Sequence, residues 1–534
     1  MDEQHYMDMG STFYRMLKSP TLTTPVDMLQ HIPYRQPGYS LFFLPLLLIF
    51  GISYSYAIAL FANGLFYIAT IIGVYFLGKE FFSKKSAYLA SIVFACYGWP
   101  LFYLHFTYSE TATSCLILLC VLFLKKSNSF SVRKYALLFG IFLGLGLLTR
   151  WVTVIFIAGP LLISIILIIA HSRKKRKQAF MNLLLSIGLG TLIACPPYIA
   201  NQASFFGYYV KDQALGGALW DALPSSKKSF ISLQSFSYYL KVFEQLTLPI
   251  FSLFIAGLSY IVFKKKKYIF LLAAFLAPYL IFSFATIIKD DRYIVPIYPF
   301  IALISLSFLD AIKKVFIKTV LIGLILLLSI GNFLGGTWGI GPLGVKGLAS
   351  TLIPMPIGHP RMIHWTTIVW PPRKEVSNAR KILEIIDKNA DSKKDLKVTQ
   401  LFSYHPVDIG IYSLNTYMRE DKIVVENFVG SAVTNPKASS EYVVSTIASS
   451  DFLLIKDINK VDSYFPPVNY VLLNATIKAL SNSTIPGYTK VGSVKIPADQ
   501  STVTVYKRVD DMSSANQKDI KDQLVKKLLT LPEI

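Results

Sequence analysis

The sequence predicts a polytopic α-helical membrane protein of about ten spans, followed by a small α/β domain. Three observations carry this. Hydrophobic residues make up 53% of the 534-residue chain and aromatics 14%, with a mean hydropathy of +0.49, above what a soluble globular chain carries. Long apolar runs such as TVLIGLILLLSIGNFL recur, and a bilayer core takes about 20 apolar residues per helix. Near Gly335 the apolarity stops, and the remainder is polar, mixed and of domain length.

The first 55 residues hold no span. They open on MDEQHYMDMGSTFYRMLKSP, an acidic, water-facing stretch. The apolar run LFFLPLLLIF (41–50) is too short to cross and is interrupted by Pro45, so it reads as a juxtamembrane helix on the outer surface. Spans are expected at 56–77, 86–104, 107–124, 135–149, 151–170, 179–199, 246–263, 268–288, 292–310 and 316–334, which makes 56–334 the membrane domain.

Charge fixes the orientation of these spans. The formal net charge of +22 comes largely from short basic loops: Lys84 and Lys85, KKSNSFSVRK (125–134), SRKKRKQ (172–178), KKKK (264–267), and Lys313, Lys314 and Lys318. None is interleaved with aromatics on a globular domain, which excludes a nucleic-acid partner, and short Lys/Arg loops mark the cytoplasmic side. Counting spans puts every basic loop on that side. The N-terminal segment, YGWPLFYLHFTYSE, the 200–245 loop, KDDR and the C-terminal region then lie outside. An extra crossing at 41–50 would invert this pattern.

Residues 335–508 are expected to form the extracytoplasmic α/β domain, and 509–534 a polar tail. RKILEIIDKN (380–389) has apolar residues at helical spacing, while KVTQLF, KIVVEN, DFLLIKD and STVTVYK read as strands bounded by polar turns. No glycine-rich phosphate loop or nucleophile elbow occurs there, so the domain reads as a lid or acceptor platform. Cys96, Cys115, Cys120 and Cys195 fall in or beside spans and act as small apolar packing residues. The seven histidines are scattered, and Asn474 and Asn482 head N-x-Ser/Thr sequons.

Chemistry is therefore sought where charge meets the outer interface: Asp2 and Glu3 in DEQHY, Glu110 in HFTYSETATS, Arg150 in GLLTRW and Arg292 in KDDRYIVPIYPF. Charges so near hydrocarbon cost several kcal/mol unless solvated or paired. Each has a bland explanation when taken singly: the arginines snorkel to headgroups, and Glu110 favourably begins a helix.

Taken in order, these residues resemble the C superfamily of glycosyltransferases (GT-C), in its branch of protein O-mannosyltransferases and aminoarabinose transferases. DEQHYMDMG is similar to the D-E-x-x-Y-x-x-x-G of the family's first outer loop, and RQPGYSLFFLPLLL to the proline-containing segment before its juxtamembrane helix. Glu110 matches the acidic residue of the second outer loop, GLGLLTR the G-L-x-L-L-T-K/R segment, and DRYIVPIYPF the R-Y-x-x-P-x-x-P segment. The resemblance covers roughly the first 335 residues. Members place a transmembrane helix before the acidic loop and this chain does not, so about 20 apolar residues are expected in frame upstream of Met1.

The resemblance implies a polyprenyl-phosphate-linked sugar as donor, a glycan, lipid or protein hydroxyl as acceptor, and inversion at the anomeric carbon. An outer-face site has no access to cytosolic nucleotide sugars, which favours a lipid carrier. In the implied roles Asp2 is the base, and Glu3 is its neighbour or a ligand of metal or acceptor. Glu110 orients the acceptor or assists as an acid, and Arg150 and Arg292 contact the donor phosphate. No cofactor is fixed, and a divalent metal stays open. The alternative is a transporter or flippase of lipid-linked glycans, but that would place ionisable or helix-breaking residues at mid-bilayer depth, and these spans are almost free of charge.

Overall fold

On the helix Ser55–Gly78, Phe61, Leu65, Ile68, Ile72 and Phe76 are exposed at spacings of three and four residues. The opposite stripe, Ala59, Ala62, Asn63, Thr70, Val74 and Leu77, is buried against protein. A helix apolar on both faces, with one face bare, suits lipid, where backbone polar groups must be satisfied within the helix. The structure is a computed structural model. It describes residues 2–32, 36–51, 55–104, 106–170, 173–205, 248–263, 265–285 and 291–338, together with 353–354, 362–363, 379–390, 396–401, 427–428, 447–456, 485–495, 502–509, 518–519 and 522–523.

The chain divides into two compact units, one gathering Asp2–Gly217 and Pro224–Pro372, the other chiefly Arg373–Ile534. The helical unit contains α1 (Asp2–Lys18), α2 (Thr24–Gln30), α3 (Gly38–Phe50), α4 (Ser55–Gly78), α5 (Lys84–Ala95), α6 (Gly98–Leu104), α7 (Glu110–Lys126) and α8 (Arg133–Thr149). It continues with α9 (Thr153–Ile169), α10 (Arg173–Ala200), α11 (Gln202–Phe205), α12 (Leu248–Phe263), α13 (Lys265–Ala285), α14 (Tyr298–Ser305) and α15 (Val315–Trp338). The two-residue strands β1 (Ile353–Pro354) and β2 (Met362–Ile363) pair antiparallel within it, although residues from 335 onward were expected in the outer domain.

Among the described residues three helices are long and apolar enough to cross a bilayer: Ala57–Lys79, Lys174–Ala200 and Arg292–Ala311. Shorter apolar helices fall on other expected spans. The run 41–50 lies within α3, whose 13 residues reach about 20 Å, short of a bilayer core of about 30 Å.

Two expected spans are interrupted. The segment 86–104 breaks at Cys96 and Tyr97 into α5 and α6, because Pro100 has no N–H with which to continue the helical ladder. The segment 292–310 opens as a 3-10 helix, Asp291–Ile297, becomes α14, and closes with a 3-10 turn at Leu309–Ala311. Pro296 and Pro299 remove two donors there, and Pro299 occupies the first turn of α14, where a missing N–H costs nothing.

The centre of this unit is α7. Every residue from Glu110 to Leu118 is buried, and so are Cys120, Val121, Leu122 and Leu124. It packs against α4, α8, α9 and the 3-10 helix, while α8 packs along α10 and α14 along α12. The four cysteines are free thiols, three of them buried. On the basic side, Asp310 accepts hydrogen bonds from the Ser83 N–H, both the Ser83 and Ser86 hydroxyls and Lys318 Nζ, tying the start of α5 to α15.

The second unit has a five-stranded mixed sheet ordered β4-β3-β5-β7-β6, from β3 (Val398–Leu401), β4 (Asn427–Phe428), β5 (Phe452–Lys456), β6 (Tyr488–Lys495) and β7 (Thr502–Arg508). β3 runs parallel to β4 and β5, and β7 antiparallel to β5 and β6. Helix α16 (Ala379–Asn389) packs on β6 and β7 through Ile382, Leu383 and Ile386, against Val398, Phe452, Leu454, Val503 and Val505. A Cβ at Gly492 would stand 2.9 Å from the Ile385 side chain, which would have to shift to admit it. Strands β3, β5 and β7 and the helix fall on segments read as such in sequence. Apart from Asn427, KIVVEN lies outside the described residues, as do both sequons and most of the tail.

Candidate active site

The site grows from the ends of two helices. Glu110 is the first residue of α7, and Arg150 is the residue at which the backbone leaves α8, with φ −158° and ψ 127°. Arg150 Nη1 donates to Glu110 Oε1 at 2.6 Å, with side chains 11% and 2% exposed. Burial would lower the Arg150 guanidinium and the nearby Arg292 charge works the same way, but the Glu110 carboxylate outweighs both and holds Arg150 above its ordinary value. A charge-assisted contact this short and dry fixes both side chains. The second Glu110 oxygen, Oε2, is buried and accepts no hydrogen bond among the described residues, which leaves it able to receive one from a ligand.

Arg292 and Tyr293 sit at the start of the 3-10 helix, where the prolines that follow set the backbone. The Arg150 Cζ lies 5.5 Å and the Arg292 Cζ 5.6 Å from the centroid of the same Tyr293 ring, and Arg292 also lies 5.7 Å from the ring of Tyr108. Two guanidinium groups thus share one aromatic ring. A ring face attracts a cation, and the buried Glu110 carboxylate pairs with Arg150. The planar forks of both arginines suit phosphate oxygens.

The N-terminal helix is tied into this cluster. The Tyr6 hydroxyl and the Ser109 hydroxyl hydrogen-bond at 2.9 Å, although 103 residues separate them, and Ser109 directly precedes Glu110. Ser40 donates to the Tyr6 carbonyl at 2.8 Å, and the Tyr6 ring meets that of Tyr39 edge-on at 5.2 Å. One residue earlier, Gly38 presses against the end of α8: a Cβ there would stand 2.7 Å from the Leu148 carbonyl and the Thr149 nitrogen, next to Arg150. Asp2 and Glu3 occupy the first turn of α1, with Asp2 one helical turn before Tyr6. Their side chains lie outside the described residues.

Of the five residues singled out in sequence, the structure therefore gathers Glu110, Arg150 and Arg292 and places the helix of Asp2 and Glu3 beside them. It adds Tyr6, Tyr108, Ser109 and Tyr293. Tyr6 and Tyr293 stand inside the motifs DEQHY and DRYIVPIYPF, yet nothing in one dimension shows that the first reaches Ser109 or that the second carries two arginines. Among the described residues no group of three or more His, Cys, Asp or Glu could hold a metal ion.

Comparison with solved structures decides the architecture. The structure of ArnT from Cupriavidus metallidurans in the apo state matches with a TM-score of 0.54 at 12% identity, covering 95% of this chain and 93% of that one. The same protein bound to undecaprenyl phosphate matches with a TM-score of 0.53 at 12% identity, with the same coverage. The chain shares the fold of ArnT. The archaeal oligosaccharyltransferase AglB from Archaeoglobus fulgidus, solved with an inhibitory peptide and a dolichol-phosphate, also matches, with a TM-score of 0.50 and 12% identity over 85% of this chain and 65% of its own. The family model for dolichyl-phosphate-mannose-protein mannosyltransferases matches residues 37–199, which takes in α3 to α10 and so both Glu110 and Arg150. No curated protein matches by sequence. The resemblance read from DEQHYMDMG, GLGLLTR and DRYIVPIYPF agrees with these matches, the family model taking in GLGLLTR, and the fold is that of a polytopic helical membrane protein.

Proposed function

We propose that this GT-C protein is a glycosyltransferase that moves a sugar from a polyprenyl-phosphate donor to an extracytoplasmic acceptor hydroxyl with inversion. The single observation behind this is the pair of arginines on one tyrosine ring, balanced by one carboxylate and set beside the helix that begins with Asp2 and Glu3. Two structural relatives carry a polyprenyl phosphate, undecaprenyl phosphate in ArnT and dolichol-phosphate in AglB, and guanidinium groups suit the oxygens of such a phosphate.

In the reaction, the acceptor oxygen attacks the anomeric carbon as the bond from that carbon to the lipid phosphate breaks. Asp2 takes the hydroxyl proton, and the phosphate leaves with the bonding electrons. Arg292 stabilises the charge that develops on it. Glu110 holds Arg150 in place through Oε1 and orients the acceptor through Oε2, while Glu3 adjoins the base. The deciding assay incubates membranes containing the protein with radiolabelled polyprenyl-phosphate sugars and follows label from the lipid to another fraction. If no lipid-linked sugar is consumed, the transferase reading fails and a flippase of lipid-linked glycans takes its place.

Arg292 separates binding from chemistry. Its contact to phosphate exists in the bound donor and strengthens as the leaving group gains charge, so Arg292→Ala is expected to weaken donor affinity and also slow turnover. Arg292→Lys is expected to recover only part of both, since an ammonium lacks the planar fork. Wild-type kinetics in Arg292→Ala would remove this residue from the site.

The orientation we propose places the N-terminal helix and the sheet unit outside. A cysteine at Lys134, an exposed position in the first turn of α8, is expected to resist an impermeant thiol reagent added to intact cells, whereas one at Ser226 is expected to react. The reverse pattern would invert the topology.

A further inference from the structure

The sheet unit carries a groove that the transfer reaction does not use. It lies between α16 and β6, has a volume of about 630 Å³, and is rimmed by Lys381, Lys388 and Lys495 over a floor that includes Ile385 and Val491. Glu384 is the one carboxylate among the groove's lining residues. Lys381, Glu384, Ile385 and Lys388 recur at intervals of three and four, so they share one face of the helix. Both Lys381 and Lys388 are exposed, and neither is in an ion pair among the described residues.

We infer that this groove holds a polymer with repeated phosphate groups, a segment of the acceptor. Lys381 and Lys388 are seven residues apart, about 10 Å along the helix axis, and Lys495 adds a third ammonium group to the same groove. Three lysines against one carboxylate favour a ligand that carries more than one anionic group. Lysine reads phosphate as a point charge and so tolerates a flexible, repeating chain. A lipid surface fits less well, because the ammonium groups rim a concavity with Ile385 and Val491 at its floor, whereas headgroups present a plane. The packing of α16 on β6 shapes that concavity, with Gly492 facing Ile385. The significance given to the groove, capture of an anionic acceptor, rests on the transferase reading, but its occupancy can be tested alone.

The test uses the full chain in detergent and fluorescein-labelled short-chain polyphosphate, followed by anisotropy. Binding is expected, weakening steadily as salt rises, with no binding of labelled neutral dextran. Lys381→Glu combined with Lys388→Glu is expected to reduce affinity at least about tenfold, and the double glutamine variant by less, since it removes charge without reversing it. Equal affinity in the reversed variant, or equal binding of dextran, overturns the proposal. Displacement of polyphosphate by phosphatidylglycerol vesicles at matched phosphate also overturns it, because the groove would then be reading a membrane. Consumption of lipid-linked sugar by the unmodified protein is scored separately, so a failed transferase assay and a failed groove remain distinct results.

Discussion

Asp2→Asn is expected to lower sugar transfer by about 100-fold or more while donor affinity stays nearly unchanged. The substitution keeps the size of the side chain and its hydrogen-bonding capacity but removes the oxygen that can take a proton. A base acts on the acceptor hydroxyl only as that oxygen attacks, so its loss is felt in the transition state and hardly at all in the bound donor. The measurement is a direct comparison of donor dissociation constant and turnover in the same preparation. A variant with weakened donor binding but normal turnover would make Asp2 a binding residue, and one unchanged in both would remove it from the site. Glu3→Gln, made in parallel, shows which of the two adjacent carboxylates carries the effect.

The second large effect is on stability and comes from Glu110. Its partner Arg150 is only 11% exposed, so Glu110→Ala leaves a nearly buried guanidinium without its counter-charge. Breaking a buried pair from one side costs about 3–5 kcal/mol, whereas removing both partners often costs far less. Glu110→Ala is therefore expected to lower the unfolding temperature in detergent strongly, and the further change Arg150→Ala to recover much of the loss. Activity should not recover with it, since the double variant also lacks a phosphate contact and an acceptor ligand. Strictly additive losses in the two single variants would show that the contact contributes nothing as a pair.

Different parts of this protein were legible in the sequence to different degrees. The helices were readable because lipid allows few structures, and runs such as GVYFLG or LIGLILLL admit little else. Their interruptions were less so: Pro100 and Pro296 are visible, but whether a proline kinks a span or ends it depends on the neighbours that satisfy the freed carbonyls. In the site, Glu110, Arg150 and Arg292 drew attention because charge at an apolar boundary is costly. Tyr293 and Tyr6 carry no charge and stand among 31 tyrosines, so their part emerges only when α1, α7 and the 3-10 helix converge. β6 was missed because Tyr488–Lys495 has two exposed lysines and a glycine where a half-buried strand would show alternation.

The near-total burial of α7 bears on how this chain can diverge. A helix facing lipid, such as α4 along Phe61, Leu65 and Ile68, can exchange one large apolar residue for another, because hydrocarbon has no fixed shape. Along Glu110–Leu118 every side chain fits against a neighbour that must change with it. Drift should therefore be fast on the outer stripe and almost arrested on α7. Two such chains could share very few identical residues and still superpose, with the surviving identities gathered around the axis that carries Glu110.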